Sequence, residues 1–331
     1  MSPFKAYLID EVEGKTQAGF VTMDEAQLDA GAVTIKVAYS SVNYKDALAA
    51  TGAGRIIRRY PCVGGIDLSG NVESSTDSRF KPGDPVIATS YDIGVAHHGG
   101  YAEYARVPAD WVQPLPAGLS LLEAMALGTA GFTAALAIVR MEENRLEPAK
   151  GPVIVSGATG GVGGLAVDML ARLGYQVTAL TGKEAEFDYL KRLGAAQVMF
   201  RSALDLSRLR PLDRMQWAGA VDNLGGEVLA WMASTMQQGG TIASIGMAAS
   251  ASLKTTVMPF ILRGVCLLGI DSGYIGEPYR SRIWQRLGSD LKPRRLLEMT
   301  HRIGFDELPD VFDGFLQGKA RGRVVVELAG A

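Results

Sequence analysis

Cysteine and histidine are both scarce in this chain. Only Cys62 and Cys266 occur in 331 residues, with His97, His98 and His301. Two distant thiols cannot build a disulfide framework, and so few of them suit a reducing, cytoplasmic setting. Net charge is nearly absent too. The 33 Lys and Arg against 35 Asp and Glu leave a formal −2, with no electrostatic footprint for nucleic acid or an anionic membrane. No uninterrupted apolar run reaches the ~20 residues that a membrane span needs. Met1 to Asp10 lack a basic segment followed by an apolar one, so no secretory signal peptide is predicted.

What remains is an ordinary globular composition, 47% apolar and 21% charged, on a chain long enough for two domains and a large core. The 40 glycines suit an α/β protein with many tight turns. The first ~120 residues read as short strands separated by turn signals, a pattern of an antiparallel, partly barrel-like domain. Val33 to Tyr39, the turn Phe80 to Asp84 feeding Pro85-Val86-Ile87, and Tyr101 to Val107 carry that pattern.

Near residue 150 the rhythm changes. Pro152 to Ser156 is a short apolar strand, followed by glycines and then a helix. On that helix Val162, Leu165, Ala166, Met169, Leu170 and Leu173 fall at helical spacing and predict one buried stripe. A second strand is predicted at Gln176 to Leu180 and a second helix at Lys183 to Leu193, stopped by Gly194. Further strands are predicted at Gln197 to Phe200, Ala218 to Val221, Thr241 to Ile245 and Val265 to Ile270, with a helix near Gly226 to Met236. Alternating strands and helices imply a parallel, doubly wound sheet. Arg323 to Leu328 is strand-like and can return to the first domain.

The segment Ser156-Gly157-Ala158-Thr159-Gly160-Gly161-Val162-Gly163-Gly164 lies where a pyrophosphate-binding loop must lie. Glycines let the backbone approach phosphate oxygens, and the helix start offers free N–H groups. The competing reading is a tight strand–helix turn without a ligand. The end of the next strand says which dinucleotide. An NAD site usually carries Asp or Glu there, to hold the ribose hydroxyls. This chain has Thr181-Gly182-Lys183, and Arg201 follows the third strand. Placed cations favour a 2′-phosphate, so NADPH is expected over NADH. Solvated surface charges are the plainer alternative.

Several segments together resemble the quinone-oxidoreductase branch of the medium-chain dehydrogenase/reductase superfamily. They are Ser41-Val42-Asn43-Tyr44-Lys45-Asp46, Gly128-Thr129-Ala130-Gly131-Phe132-Thr133-Ala134 and Gly160-Gly161-Val162-Gly163. Gly52 to Tyr60, Trp217 to Asp222, Thr255 to Arg263 and Gly269-Ile270-Asp271-Ser272 are similar to the NADPH-dependent acryloyl-CoA reductases in particular. The resemblance implies an α/β protein with a GroES-like, mostly-β catalytic domain over 1–125 and 296–331. It implies a Rossmann doubly wound parallel-sheet domain over 126–295. It also implies NADPH contacts from Tyr44, Thr129, Thr159, Gly160, Gly161, Val162, Thr181, Gly182, Lys183, Arg201, Asn223, Gly246 and Ser272, and a homodimer formed through the edge of the Rossmann sheet. Gly64 departs from the family, which commonly has Pro there.

Zinc-dependent members of the superfamily need a four-cysteine lobe and a catalytic Cys/His/carboxylate set, and two cysteines cannot build the lobe. Cys62 with His97 and His98 is a conceivable but poor zinc set, because adjacent strand residues point to opposite faces. The plainer readings of His97-His98 are a polar surface turn or a lining of the substrate cleft. No metal is expected.

Without a metal, hydride addition to a carbon–carbon double bond conjugated to a carbonyl is easier than ketone reduction, because charge spreads onto the oxygen. Tyr44 is the candidate catalytic residue, as a hydroxyl that orients the cofactor or delivers a proton; its plainer reading is a packed aromatic. Asn43, Lys45 and Asp46 flank it, and the last two form a local ion pair in the plainer reading. Arg55, Arg58 and Arg59, and less clearly Arg321 and Arg323, are candidates for coenzyme A phosphates or are simply solvated. The expected reaction is NADPH-dependent reduction of acryloyl-CoA to propanoyl-CoA in a cleft at the domain interface. The rivals are a quinone or 2-alkenal reductase and a non-catalytic NADPH-binding sensor. The partners expected are an acyl-CoA and a second copy of the chain, with neither nucleic acid nor membrane.

Overall fold

A computed structural model describes residues 2–328. The chain opens with a β-hairpin, β1 (Phe4–Val12) and β2 (Lys15–Met23), in full antiparallel register from Phe4↔Met23 to Val12↔Lys15. The long strand β3 (Val33–Val42) leads into helix α1 (Tyr44–Thr51), which Gly52 ends in the left-handed region at φ 72°. Then come β4 (Cys62–Val63), β5 (Asp67–Ser75), β6 (Pro85–Thr89), β7 (Tyr104–Val107) and β8 (Val112–Pro114). Helix α2 (Leu121–Glu143) follows.

The parallel part of the chain is β9 (Val153–Ser156), α3 (Gly161–Arg172), β10 (Val177–Thr181), α4 (Phe187–Arg192), β11 (Gln197–Phe200), β12 (Trp217–Asp222), α5 (Gly226–Thr235), β13 (Met236–Ser244), α6 (Met258–Arg263), β14 (Cys266–Gly269) and α7 (Tyr279–Leu287). The last elements are β15 (Thr300–Gly304), α8 (Leu308–Leu316) and β16 (Arg323–Glu327).

These elements sort into two compact units, Met1–Thr129 with Leu296–Ala331, and Ala130–Arg295. The division falls inside α2, just after a break at Gly128, whose φ of 52° and ψ of −155° interrupt the helix. By length and composition alone α2 is apolar enough to cross a membrane, but most of it is buried in protein. A helix that is apolar nearly all round is what a large interior requires.

The first unit holds a seven-stranded sheet in the order β15-β16-β3-β5-β6-β8, with β7 also paired to β3, and a small sheet β2-β1-β4. Its core is built from alternating strand positions such as Val33, Ile35 and Val37, completed by Phe312 and Val326 from the C-terminal segment. Each such side chain contributes roughly 1.5–3 kcal/mol when fully buried. Strand β16 lies antiparallel to β3, from Val324↔Val42 to Glu327↔Tyr39, so the strand-like end of the sequence does return to this unit.

The second unit is a six-stranded, all-parallel sheet in the order β11-β10-β9-β12-β13-β14. The chain winds outward from β9 to β11, then returns to β12 and winds the other way. The predicted helix at Lys183 to Leu193 is shorter in the structure: Glu184–Glu186 form a 3-10 turn and α4 begins at Phe187. Helices α1, α2, α6, α7 and α8 and the opening hairpin were not predicted from the sequence.

Candidate active site

In the second unit the order of strands reverses between β9 and β12, and a crevice at the carboxyl ends of such strands is where α/β sheets bind ligands. The two strand ends are tied together. Ser156 Oγ donates to Asp222 Oδ1 at 2.8 Å, Asn223 N–H donates to Ser156 Oγ at 2.9 Å, and Asn223 Nδ2 to the Ser156 carbonyl at 2.7 Å. Burial raises the pKa of Asp222, against the hydrogen bonds from Ser156, Gly225 and Leu224. Gly246 belongs to the same place: a Cβ there would lie 2.5 Å from the Asn223 carbonyl oxygen.

The glycine loop follows β9. Gly157 sits at φ 59°, and a Cβ at Gly163 would lie 2.3 Å from the Gly157 carbonyl oxygen, so the loop folds tightly back on the first turn of α3. Gly160 differs: a Cβ there would meet only the Gly157 oxygen, at 3.4 Å, and the backbone is open to a close visitor. No side chain caps the start of α3. Uncapped N–H groups behind an open glycine are what a pyrophosphate requires. Thr159 is buried within this loop, and Gly161 and Val162 are half-buried at the helix start.

At the end of β10, Thr181 is buried and its Oγ1 accepts from the Lys183 N–H at 3.0 Å. Gly182 is exposed, and a side chain started there would come 4.0 Å from the guanidinium of Arg201. Lys183 and Arg201 therefore flank one bare backbone position, and no carboxylate occupies 181–183. The residues fit a dinucleotide carrying a 2′-phosphate. Ser272, beyond β14, accepts a hydrogen bond from Thr133 Oγ1 at 2.7 Å.

In the first unit, Tyr44 is the first residue of α1 and is 50% exposed, so its ring is not buried packing. Asp46 does not pair with Lys45 as a surface ion pair. It is buried, its Oδ2 accepts from Asn43 N at 2.8 Å and Nδ2 at 3.1 Å, and its Oδ1 accepts from Ile66 N at 3.0 Å. Burial, and then the neighbouring charge of Asp67, push its pKa up to about 7. Asp67 is also buried and takes four donors: Ser41 Oγ at 2.6 Å, Asn43 Nδ2 at 2.8 Å and Thr129 N at 2.9 Å on Oδ2, and Thr129 Oγ1 at 2.5 Å on Oδ1.

Thr129 Oγ1 lies 3.0 Å from Ser90 Oγ. Ser90 and Tyr91 hold φ of 66° and 51°, which non-glycine residues adopt only when their surroundings insist. Here Ser90 N–H donates to the Ile66 carbonyl at 2.8 Å, and Tyr91 stacks on Trp111 at 5.4 Å.

The basic loop turns out to be largely spoken for. Arg59 makes a two-pronged pair with Asp29, and Arg58 pairs with Asp92. Arg55 is exposed. Arg323 is 2% exposed, which removes it as a phosphate partner. His97 and His98 are not a surface turn. Both are largely buried; His98 accepts the Val63 N–H on Nδ1 at 3.0 Å and gives its own N–H to Asp29. Burial pushes the Cys62 thiol up to about 12. Among the described residues no cluster of three or more His, Cys, Asp or Glu is disposed to hold a metal ion.

Two family models match the chain: an alcohol dehydrogenase GroES-like domain over residues 29–117, and a zinc-binding dehydrogenase model over 161–287. YhfP of Bacillus subtilis, whose name carries the words quinone oxidoreductase, is 51% identical over 93% of both chains. The chain belongs to the medium-chain dehydrogenase/reductase superfamily. Another member, the acrylyl-CoA reductase AcuI of Ruegeria pomeroyi, is 46% identical over 98% of this chain and 99% of its own. Among solved structures, the YhdH oxidoreductase of Salmonella enterica in complex with NADP superposes with a TM-score of 0.95 at 44% identity, covering 98% and 99% of the two chains. YhfP with NAD bound superposes at 0.97 and 48% identity, over 99% of this chain and all of its own. The fold class expected from the sequence, a GroES-like domain with a Rossmann sheet, is the one observed.

Sequence reasoning passed over Ser90 and undervalued Asp67 and Arg323. The available signal was charge out of place: an Asp inside Gly65-Ile66-Asp67-Leu68 and an Arg opening Arg323-Val324-Val325-Val326. Buried charges in otherwise apolar strands persist only where hydrogen-bond partners surround them, and here Ser41 bridges the two.

Proposed function

We propose that this chain is an NADPH-dependent reductase of the activated double bond of acryloyl-CoA, yielding propanoyl-CoA. The observation that carries this reading is the near full-length likeness to a relative named acrylyl-CoA reductase. The cations at Lys183 and Arg201 support NADPH as the reductant.

When bound, the dinucleotide supplies a hydride from its nicotinamide, and that hydride goes to the β-carbon of the acceptor. The chain's own residues do the rest. The glycine loop and the start of α3 hold the pyrophosphate, while Lys183 and Arg201 hold the 2′-phosphate. Tyr44, half-exposed at the head of α1, presents a phenolic O–H that donates to the thioester oxygen as it gains charge, or passes a proton to the α-carbon. Thr129 lines the nicotinamide side with its hydroxyl oriented by Asp67.

Arg55 is the remaining exposed cation of the basic loop for a coenzyme A phosphate. The free thiols Cys62 and Cys266 suit a reducing cytoplasm. A homodimer accounts for the edge strand β14 and for Val257, Ile261 and Leu262, which precede it in the chain and are 64%, 72% and 57% exposed.

The test is a steady-state comparison of acryloyl-CoA, crotonyl-CoA and a simple quinone with NADPH and NADH. A far larger kcat/KM for acryloyl-CoA with NADPH is expected. A quinone turned over equally well would move the assignment to a quinone reductase, the reading favoured by the likeness to YhfP. Tight NADPH binding with no oxidation by any acceptor would leave a sensor.

A further inference from the structure

The first unit encloses a charged knot with no part yet assigned in the chemistry. Arg323 opens β16 and is fully buried. Its guanidinium donates from Nε to the Ala126 carbonyl at 2.9 Å, and from Nη1 to the Val42 carbonyl at 3.3 Å and Asn43 Oδ1 at 3.2 Å. From Nη2 it donates to Ser41 Oγ at 2.9 Å. Two carboxylates complete the knot without touching the guanidinium. Ser41 Oγ and Asn43 Nδ2 reach Asp67, and Asn43 Nδ2 also reaches Asp46. The Tyr101 phenol donates to the Ser41 carbonyl at 3.1 Å.

Apolar side chains of similar volume would often hold such an interior at least as well, because each buried charge loses its hydration. What apolar groups cannot do is fix direction. A guanidinium offers donors in a rigid planar fork, and here Nε ends on Ala126 while Nη1 and Nη2 end on residues 41–43, so the fork joins two segments. One prong ends on Asn43, whose next neighbour is Tyr44. Another ends on Ala126, three residues before Thr129. Between them Gly128 makes its break directly against the knot: a Cβ there would lie 2.6 Å from Asp67 Oδ2 and 2.9 Å from Arg323 Nη2. The backbone carrying Tyr44 and the backbone carrying Thr129 are thus gripped by one side chain from the C-terminal strand.

We propose that Arg323 is a positioning residue that fixes the Tyr44 and Thr129 hydroxyls relative to each other. Its kinetic consequence rests on the reading of those two residues as neighbours of the nicotinamide; its structural consequence does not. Lysine keeps the charge, but its single nitrogen cannot serve Ala126, Asn43 and Ser41 along one plane.

The test uses the full chain and two variants. Arg323→Lys removes the fork, and Ile303→Ala opens a cavity in the core of the same unit, on β15, away from the knot. Hydrogen exchange is followed at the amides of 44–47 and 128–130. Arg323→Lys is expected to speed exchange at both segments by about tenfold or more, with amides of 153–156 unchanged, whereas Ile303→Ala speeds neither selectively. With an acceptor that the unmodified protein reduces, Arg323→Lys is expected to lower kcat by about tenfold while the Kd for NADPH, from fluorescence titration, moves less than about threefold. On a Tyr44→Phe background that loss should shrink, as coupling through Tyr44 demands.

Unchanged exchange at 44–47 and 128–130, or the same loss in Ile303→Ala, overturns the proposal. So does a fall in kcat that merely tracks the melting temperature in both variants. If the unmodified protein oxidises no NADPH with any acceptor, the reductase reading fails, and exchange alone decides the positioning role. Should Arg323→Lys not fold, Asn43→Ser keeps a helix cap and the guanidinium but cuts the link between them. Faster exchange at 44–47 alone then supports the proposal, and none overturns it.

Discussion

Thr129 gives its hydroxyl proton to Asp67 Oδ1 at 2.5 Å and its backbone N–H to Asp67 Oδ2 at 2.9 Å. With that proton committed, Ser90 is the donor in the 3.0 Å contact between the two hydroxyls. Thr129→Val keeps the shape but leaves Asp67 Oδ1 short of a partner in a buried place. Stability should fall by about 1–3 kcal/mol in urea unfolding, and Thr129→Ser should restore most of it. Equal stability of the valine and native forms would mean that the carboxylate finds its donor elsewhere.

Lys183 and Arg201 frame the exposed Gly182. Replacing either by Ala should raise the KM for NADPH by about tenfold or more, the scale of one charge-assisted hydrogen bond, and leave the KM for NADH nearly unchanged. Lys183→Asp should go further and favour NADH, by repelling the 2′-phosphate and accepting from ribose hydroxyls. Initial rates with the two cofactors check both. Parallel losses for NADPH and NADH would show that the cations support the fold rather than select the phosphate.

The buried carboxyl of Asp46 bears on stability against pH. Its folded pKa is raised to about 7, from an ordinary value of 3.8, first by burial and then by the charge of Asp67. Between those values the folded state holds a proton that the unfolded state has lost. Stability from this group is therefore present below the ordinary carboxylate range and falls as pH rises toward 7, by about 1.4 kcal/mol per unit of displacement. Asp46→Asn removes the titration, so the unfolding free energy should become flatter between about pH 4 and pH 7. A native profile already flat across that window would refute it.

The second unit was more legible in the sequence than the first, for a physical reason. Parallel strands buried on both faces, such as Val153–Ser156, write themselves as short apolar runs punctuated by glycine. Helix α1 is different. It carries Asp46 on its buried side, and the sequence Tyr44-Lys45-Asp46-Ala47 has no apolar stripe that periodicity can find. Helix α2 is apolar all round, so it too lacks a face, and its break at Gly128 is set by side chains from β3, β5 and β16. The expected phosphate-binding residues of the glycine loop and the end of β10 could be named from the sequence because they lie in two short contiguous runs. The Asp67 and Arg323 knot was not, since 256 positions separate its two charges in the sequence and only the strand pairing of β16 with β3 brings them together.

Strand β14 offers a testable surface. Ile261 and Leu262 of α6, the helix that precedes it in the chain, are largely exposed in the single chain, and Leu267 within it is 37% exposed. Ile261→Glu and Leu267→Lys place charges on the apolar edge that the proposed homodimer covers. Sedimentation should show a shift toward monomer for both, with the parallel sheet's far-ultraviolet circular dichroism retained. A native chain that sediments as a monomer at micromolar concentration would dispose of the dimer.

Because β16 threads back to β3, the two units stand in different relations to synthesis. Residues 130–295 are contiguous and can close while the ribosome is still adding the remainder. The body that begins at the amino end cannot. Its sheet lacks the two strands at one end, and its two interior carboxylates lack a counter-ion, until Arg323 has emerged from the exit tunnel. A nascent chain stalled before that point would carry a finished nucleotide fold joined to an unfinished partner, making it a natural client for chaperones and an easy substrate for proteases.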